Sequence, residues 1–73
     1  MRLPRGLSGD QIVRAFEHAG WVQVRLRGSH VMMQKEGHDY TLAVPRHRQV
    51  GPGLLHGLLR DAGVTVEEFT RLL

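Results

Sequence analysis

The residue types best suited to chemistry cluster in the middle of the chain, around one histidine. His30 follows Ser29, and Arg25 and Arg27 precede it at alternate positions. An imidazole can act as a general acid or base near neutral pH, and guanidinium groups can stabilise the charge that develops on a phosphodiester during cleavage. When the substrate is RNA, its own 2′-hydroxyl is the nucleophile, so neither a metal ion nor a covalent protein intermediate is required. The pattern favours phosphodiester cleavage, and a surface histidine of no function is the open alternative.

A second basic segment follows Pro45 and consists of Arg46, His47 and Arg48. His47 could be a second acid–base group or a phosphate contact, and the two arginines could clamp a phosphate. Ordinary solvated loop charges are the alternative. The other histidines are expected on helix surfaces or in a turn: His18, His38 and His56. No two histidines have the helical spacing typical of metal ligands, so the sequence predicts no metal site and no cofactor.

The length and charge of the chain indicate the size of its fold and the kind of ligand that it attracts. Its 73 residues correspond to one small domain, residues 1–73, with a thin core. The formal net charge is +3, and residues 21–50 account for the whole excess, with five Lys and Arg against two Asp and Glu. A localised positive field attracts polyanions such as nucleic acid, although a solvated basic face is the simpler alternative.

The composition also excludes several kinds of site. The chain has no Cys, which rules out disulfides, thiol nucleophiles and Cys-ligated metal sites and fits a reducing cytosol. The longest apolar run, residues 42–45, has four residues, against about 20 for a membrane span. Residues 1–5 lack the apolar segment of a secretory signal. We therefore expect a cytoplasmic protein without a membrane segment.

The sequence predicts three helices, one before the basic segments and two after them. Ser8 and Gln11 form a capping box, which predicts a first helix over about residues 9–19. Pro52 suits the first position of a second helix over about residues 52–62, and Gly63 suits its end. Thr65 begins a second capping box that opens a short last helix, which buries Phe69 and one of the two terminal leucines.

Between the first two helices the apolar period changes to two, which predicts strands over about residues 22–27, 30–35 and 40–44. The residues expected on the buried face are Val22, Val24 and Leu26 in the first strand, Val31 and Met33 in the second, and Tyr40, Leu42 and Val44 in the third. Gly28 and Ser29 form a two-residue hairpin turn, and Pro45 ends the third strand. The result is an α+β fold of order αβββα. Two helices cover one face of a three-stranded antiparallel sheet, and a short C-terminal helix follows.

The turns also predict the register of the strands. A turn at Gly28 and Ser29 sets Arg27 opposite His30, Arg25 opposite Met32, Gln23 opposite Gln34 and Val24 opposite Met33. The next turn sets His30 opposite Pro45. His30 should then lie on the open face, with Arg27 and Arg25 beside it on one side and the loop of residues 46–48 on the other. Trp21 is expected in the core, with a stacking role at the sheet edge as the alternative.

These residues resemble a known family. The segments G-W-V at residues 20–22, R-L-R-G-S-H at 25–30, V-P-R-H at 44–47 and L-L-H-G-L-L-R-D-A-G at 54–63 are similar to the HicA (YcfA-like) toxins of bacterial and archaeal toxin–antitoxin pairs. The resemblance implies a double-stranded-RNA-binding-domain-like fold and a small ribonuclease that cleaves mRNA and arrests translation. It implies that His30 is catalytic, that Pro45 and His47 match a further motif, and that a HicB antitoxin masks the site. The lead into the first helix, residues 5–8, and the start of the second, residues 51–53, depart from the common pattern.

The sequence therefore predicts a metal-independent mRNA endoribonuclease toxin. Its expected partners are mRNA and a HicB-like antitoxin. His30 is the predicted catalytic residue, and the predicted RNA-binding residues are Arg25, Arg27, Ser29, Arg46, His47 and Arg48. A non-catalytic RNA-binding module and a protein-interaction domain that docks a partner on the open sheet face remain as alternatives.

Overall fold

The computed structural model describes residues 2–73, so Met1, the first residue of the predicted domain, lies outside the described part of the chain. The elements are α1 (Gly9–His18), β1 (Val22–Arg27), β2 (His30–Gln34), β3 (Leu42–Pro45), α2 (Pro52–Ala62) and α3 (Val66–Leu72). The three strands form one antiparallel sheet in the order β1-β2-β3. The predicted α+β fold of order αβββα with a short last helix is confirmed. None of the helices described is long and apolar enough to cross a membrane.

Local capping chemistry sets the helix boundaries as predicted. The Ser8 hydroxyl accepts a hydrogen bond from the Gln11 backbone N–H at 3.1 Å, and the Gln11 side chain accepts one from the Ser8 N–H at 2.9 Å. Thr65 and Glu68 repeat this exchange at the start of α3. The helix α2 begins with a proline in its first turn and ends at Gly63, which has a left-handed φ of 70°. These bonds satisfy backbone groups that a helix end leaves without partners.

The sheet register near His30 agrees with the prediction. Gly28 adopts a φ of 59°, which a glycine at the first central position of a hairpin turn accepts without strain. Arg27 pairs with His30 and Arg25 with Met32 across β1 and β2. On the other side of β2, His30 pairs with Pro45 and Met33 with Leu42. Pro45 is thus the last residue of β3 rather than the residue after it, which an edge strand tolerates.

The predicted register fails at the start of β1, because a β-bulge separates Gln23 from Arg25. Gln23 pairs with Met33 rather than with Gln34, and Val24 is the extra residue of the bulge. The bulge reverses the alternation, so Gln23 lies on the helical side, where its amide donates to a Glu17 carboxylate oxygen at 3.4 Å. Val22 moves opposite Gln34 on the other face.

The prediction that β1 has a buried apolar face is wrong. The side chains of Val22, Val24 and Leu26 are 60%, 47% and 57% exposed. Both α1 and α2 pack against β3, whereas α1 makes the main helical contact with β1, and the residues of β1 stay exposed. Tyr40, also predicted to be buried, is 61% exposed, because β3 begins two residues later than expected.

The core lies between the helices and the strands β2 and β3. Aromatic rings form its centre: the Phe16 ring centroid lies 6.2 Å from that of Trp21 and 5.6 Å from that of Phe69. All three side chains are buried, which confirms Trp21 and Phe69 as core residues. On α2, Leu54 is half exposed, while Leu55 one position later is buried. The helices therefore pack on one face of the sheet and leave the other face open.

Candidate active site

His30 is the first residue of β2 and is exposed. Neighbouring side chains of a strand point to opposite faces. Because Val31 and Met33 are buried beneath the helices, His30 and the half-buried Met32 belong to the open face. The imidazole thus projects from the central strand on the side that the helices leave uncovered.

The guanidinium groups of β1 flank this histidine. Arg27 is the cross-strand partner of His30, and Arg25 is the partner of Met32 one step further along. Opposed residues on one face have Cβ atoms about 5 Å apart, within the reach of a long side chain. Both arginines are exposed, and neither takes part in an ion pair within the described residues. Their charge is therefore available to a ligand.

A shallow depression of about 370 Å³ lies against the histidine. Its lining consists of Arg27, Gly28, His30, Met32 and Ala43. Met32 and Ala43 are cross-strand partners on β2 and β3, and together they form an apolar floor. We call this depression the His30 site. The register alone predicted that Met32 faces Ala43, but nothing in the sequence marked Ala43 as part of a site.

The loop after β3 is tied to the hairpin and to α1 through backbone hydrogen bonds. The Arg46 N–H donates to the Ser29 carbonyl at 2.7 Å, and the Gly9 N–H donates to the His47 carbonyl at 2.9 Å. Further along, the Val50 N–H donates to the Leu7 carbonyl at 2.8 Å. The position of the second basic segment relative to His30 is therefore set by the start of α1.

Gly9 makes this contact sterically feasible. A Cβ atom at Gly9 would overlap the Pro45 carbonyl oxygen and lie 2.9 Å from the Pro45 carbonyl carbon and 3.0 Å from the Arg46 Cα. All three atoms belong to the backbone and cannot rotate away. Sequence reasoning did not identify Gly9 as a site residue, and its place just after the helix cap is too common a position to have marked it.

None of the side chains of the second basic segment lines the His30 site. The Arg46 Nε lies 3.4 Å from Asp10 Oδ1 in the first turn of α1, and both side chains are more than half exposed. His47 and Arg48 are exposed, but they do not line the depression beside His30. The structure thus places Arg27 in the depression with the histidine and Arg25 one step further along β1, leaves Ser29 outside the lining, and directs Arg46 toward Asp10.

The arrangement suits acid–base chemistry on an anionic ligand. One imidazole is exposed to solvent beside two unpaired guanidinium groups. The depression next to it has an apolar floor and is shallow enough to admit an extended polymer. Among the described residues, no three side chains of His, Asp or Glu converge to form a potential metal site.

Comparison with models of known protein families matches residues 9–64 to the family described as HicA toxin of bacterial toxin–antitoxin. The matched segment begins at α1 and ends just beyond α2, so it includes the His30 site and the second basic segment. No curated protein matches the chain.

Proposed function

The chain belongs to the HicA toxin family of bacterial toxin–antitoxin systems, and we propose that it is an endoribonuclease that cleaves mRNA without a metal ion and so inhibits translation. The observation that carries this proposal is the pairing of His30 with Arg27 across the open sheet face. A proton-transfer group and a phosphate-binding group thus lie side by side where a polymer can reach them. The family supports the toxin role, and the geometry supports the chemistry.

The proposed reaction uses the substrate's own nucleophile. The 2′-hydroxyl of one nucleotide attacks the adjacent phosphorus, so a P–O2′ bond forms and the P–O5′ bond breaks. The products are a 2′,3′-cyclic phosphate and a 5′-hydroxyl. One proton leaves O2′ and one proton is delivered to O5′, and His30 serves one of these two steps. General acid–base catalysis of this kind typically contributes about 10²–10⁴-fold.

Arg27 and Arg25 have a different role in this proposal. Negative charge builds up on the non-bridging phosphate oxygens as the phosphorus becomes five-coordinate. A guanidinium beside the imidazole stabilises that charge and binds the phosphate before the reaction. Ser29, Arg46, His47 and Arg48 are proposed to contact the RNA on either side of the reacting phosphate. For Arg46 this requires exchange of its surface ion pair with Asp10, and such exposed pairs contribute only ~0–1 kcal/mol.

The deciding experiment compares His30→Ala with His56→Ala in a cleavage assay containing EDTA. His30 and His56 are both exposed, so neither substitution should alter the fold, which circular dichroism checks. His56 lies on α2 and lines a depression with Arg2 and Leu3, away from the open sheet face. We expect His30→Ala to lose at least about 100-fold in rate. His56→Ala should retain the wild-type rate, and the products should carry cyclic phosphates.

Three results would reject the proposal. Undiminished cleavage by His30→Ala would remove the catalytic role of the histidine. RNA binding that weakens with salt, with no cleavage by the wild-type protein, would identify a non-catalytic RNA-binding module instead. Indifference to RNA combined with tight binding to a protein would identify an interaction domain.

We also propose that a HicB-like antitoxin covers the His30 site. Membership in a toxin–antitoxin family implies such a partner, and the unpaired arginines favour an acidic surface. Co-expression of the antitoxin should restore growth, and Arg27→Glu should weaken the complex by reversing the charge at its centre. Unchanged binding by Arg27→Glu would place the antitoxin elsewhere on the chain.

A further inference from the structure

A second depression lies on the open face at the end of the sheet away from the Gly28 turn. Its volume is about 340 Å³, and its walls include Val22, Val24, Gln34, Asp39, Tyr40 and Thr41. We call it the Tyr40 cavity. Gln34 ends β2, four residues after His30, so these two residues lie about 13 Å apart along the strand. The two depressions thus share one surface.

The cavity concentrates apolar surface that a small protein normally buries. Val22, Val24 and Tyr40 are three of the six large hydrophobic residues that are exposed among those described. The bulge at Val24 and the late start of β3 turn them outward, as described above. Contiguous exposed apolar surface on a soluble domain usually marks a binding site.

Polar groups line the same cavity. The Gln34 side-chain amide donates to the Thr41 hydroxyl at 3.2 Å, which holds both groups on the wall. Beside them, Glu36 and Asp39 contribute carboxylates, and Lys35 contributes one ammonium group. An aromatic ring with amide, hydroxyl and carboxylate groups around it matches the needs of a nucleobase, which stacks by its face and forms hydrogen bonds through its edge.

The two depressions differ in their charged groups, so they suit different parts of an RNA ligand. The His30 site is lined by the unpaired Arg27, with Arg25 one step further along β1, and both attract phosphate; the Tyr40 cavity has two carboxylates against one lysine and the imidazole of His38. Carboxylates repel a phosphate group but accept hydrogen bonds from the amino groups of bases. A single RNA strand can therefore place a phosphate at one depression and a base at the other.

We propose that the Tyr40 cavity is a subsite for one unpaired base of the RNA, a short distance along the strand from the phosphate at His30. This inference rests on the proposed function, because it assumes that RNA occupies the open face. In it, Tyr40 stacks on the base, Val22 and Val24 contact its apolar surface, and Gln34, Thr41 and Asp39 bind its edge. The subsite contributes to affinity and to the choice of cleavage position, and no proton transfer occurs there.

The test is a double-mutant cycle between protein and RNA. Short single-stranded RNAs with 2′-O-methyl groups throughout cannot be cleaved by 2′-hydroxyl attack, so their dissociation constants are measurable by fluorescence anisotropy. A series with one abasic position, moved along the strand, is bound to wild type, Tyr40→Ala and Tyr40→Phe. Leu54→Ala is the matched control, since Leu54 is an exposed apolar residue on α2.

We expect Tyr40→Ala to raise the dissociation constant about 5- to 150-fold, the effect of losing one stacked base. One abasic position should weaken wild-type binding by a similar factor and have almost no further effect on Tyr40→Ala. Tyr40→Phe should retain the ring and most of the affinity, and Leu54→Ala should bind as wild type. With cleavable RNA, Tyr40→Ala should raise KM, redistribute the cleavage positions and leave kcat nearly unchanged.

Equal affinity of wild type and Tyr40→Ala, or additive effects of the abasic position and Tyr40→Ala, would overturn the subsite. Loss of antitoxin binding without loss of RNA affinity would do the same and would assign the cavity to the protein partner. These outcomes differ from a failure of the proposed function. In that case wild type would cleave no RNA, while the abasic series would still report whether a base occupies the cavity.

Discussion

Replacement of Gly9 by alanine should damage the protein more than any other glycine-to-alanine change in its helices. The new methyl group would overlap the Pro45 carbonyl oxygen and press on two further backbone atoms, so relief requires the loop to move away from α1. That movement stretches the hydrogen bond from the Gly9 N–H to the His47 carbonyl. The effect should be visible in stability and in the placement of the second basic segment.

The expected magnitude follows from three terms. Overpacking against rigid atoms costs about 1–3 kcal/mol, and loss of the backbone hydrogen bond costs about 0.5–1.5 kcal/mol. Alanine favours the helix over glycine by about 1 kcal/mol, which offsets part of this cost. The free energy of unfolding should therefore fall by about 2 kcal/mol. For a domain of this size that lowers Tm by about 8–16 °C.

The assay is thermal unfolding followed by circular dichroism, with Gly57→Ala as the matched control. Gly57 lies inside α2, and the nearest atom to a Cβ there is an Arg60 guanidinium nitrogen at 3.9 Å. That substitution should raise the free energy of unfolding by about 0.5–1 kcal/mol. If Gly9→Ala instead unfolds at or above the wild-type temperature, the close approach of α1 to Pro45 does not constrain the fold, and the steric argument fails.

Three further predictions concern the N-terminal cap of α1, the edge strand β1 and Arg27. Ser8→Ala should lower the free energy of unfolding in urea by about 1 kcal/mol because the capping bond to Gln11 is lost, and Ser8→Asp should restore most of it. Leu26→Lys should change that free energy by less than about 0.5 kcal/mol because Leu26 is exposed, whereas Val31→Lys at its buried cross-strand partner should prevent folding. Arg27→Gln should weaken the binding of single-stranded RNA and reduce the slope of log K against log salt by about 0.7; an unchanged slope would show that Arg27 does not contact phosphate.

The amino-acid sequence alone was enough to predict the features that depend on neighbouring residues. Both capping boxes, the hairpin at Gly28 and the end of α2 at Gly63 each require only a few residues in the right order. The register that sets Arg27 opposite His30 follows directly from that hairpin, because a two-residue turn leaves one pairing for the residues beside it. The central pair of the candidate site was therefore predictable from the chain alone.

Two other features depend on tertiary packing: how far the helices extend over the sheet, and where the strands depart from regular alternation. Alternation indicates which side chains share a face, but it does not state whether a helix covers that face. The helical layer does not cover β1. The bulge at Val24 adds a residue to this strand, which the alternating pattern of the sequence does not reveal. The exposed surface of the Tyr40 cavity results from this bulge and from the late start of β3. The contact of Gly9 with Pro45 likewise joins residues 36 positions apart, and close approach over such a separation depends on the packing of the whole domain.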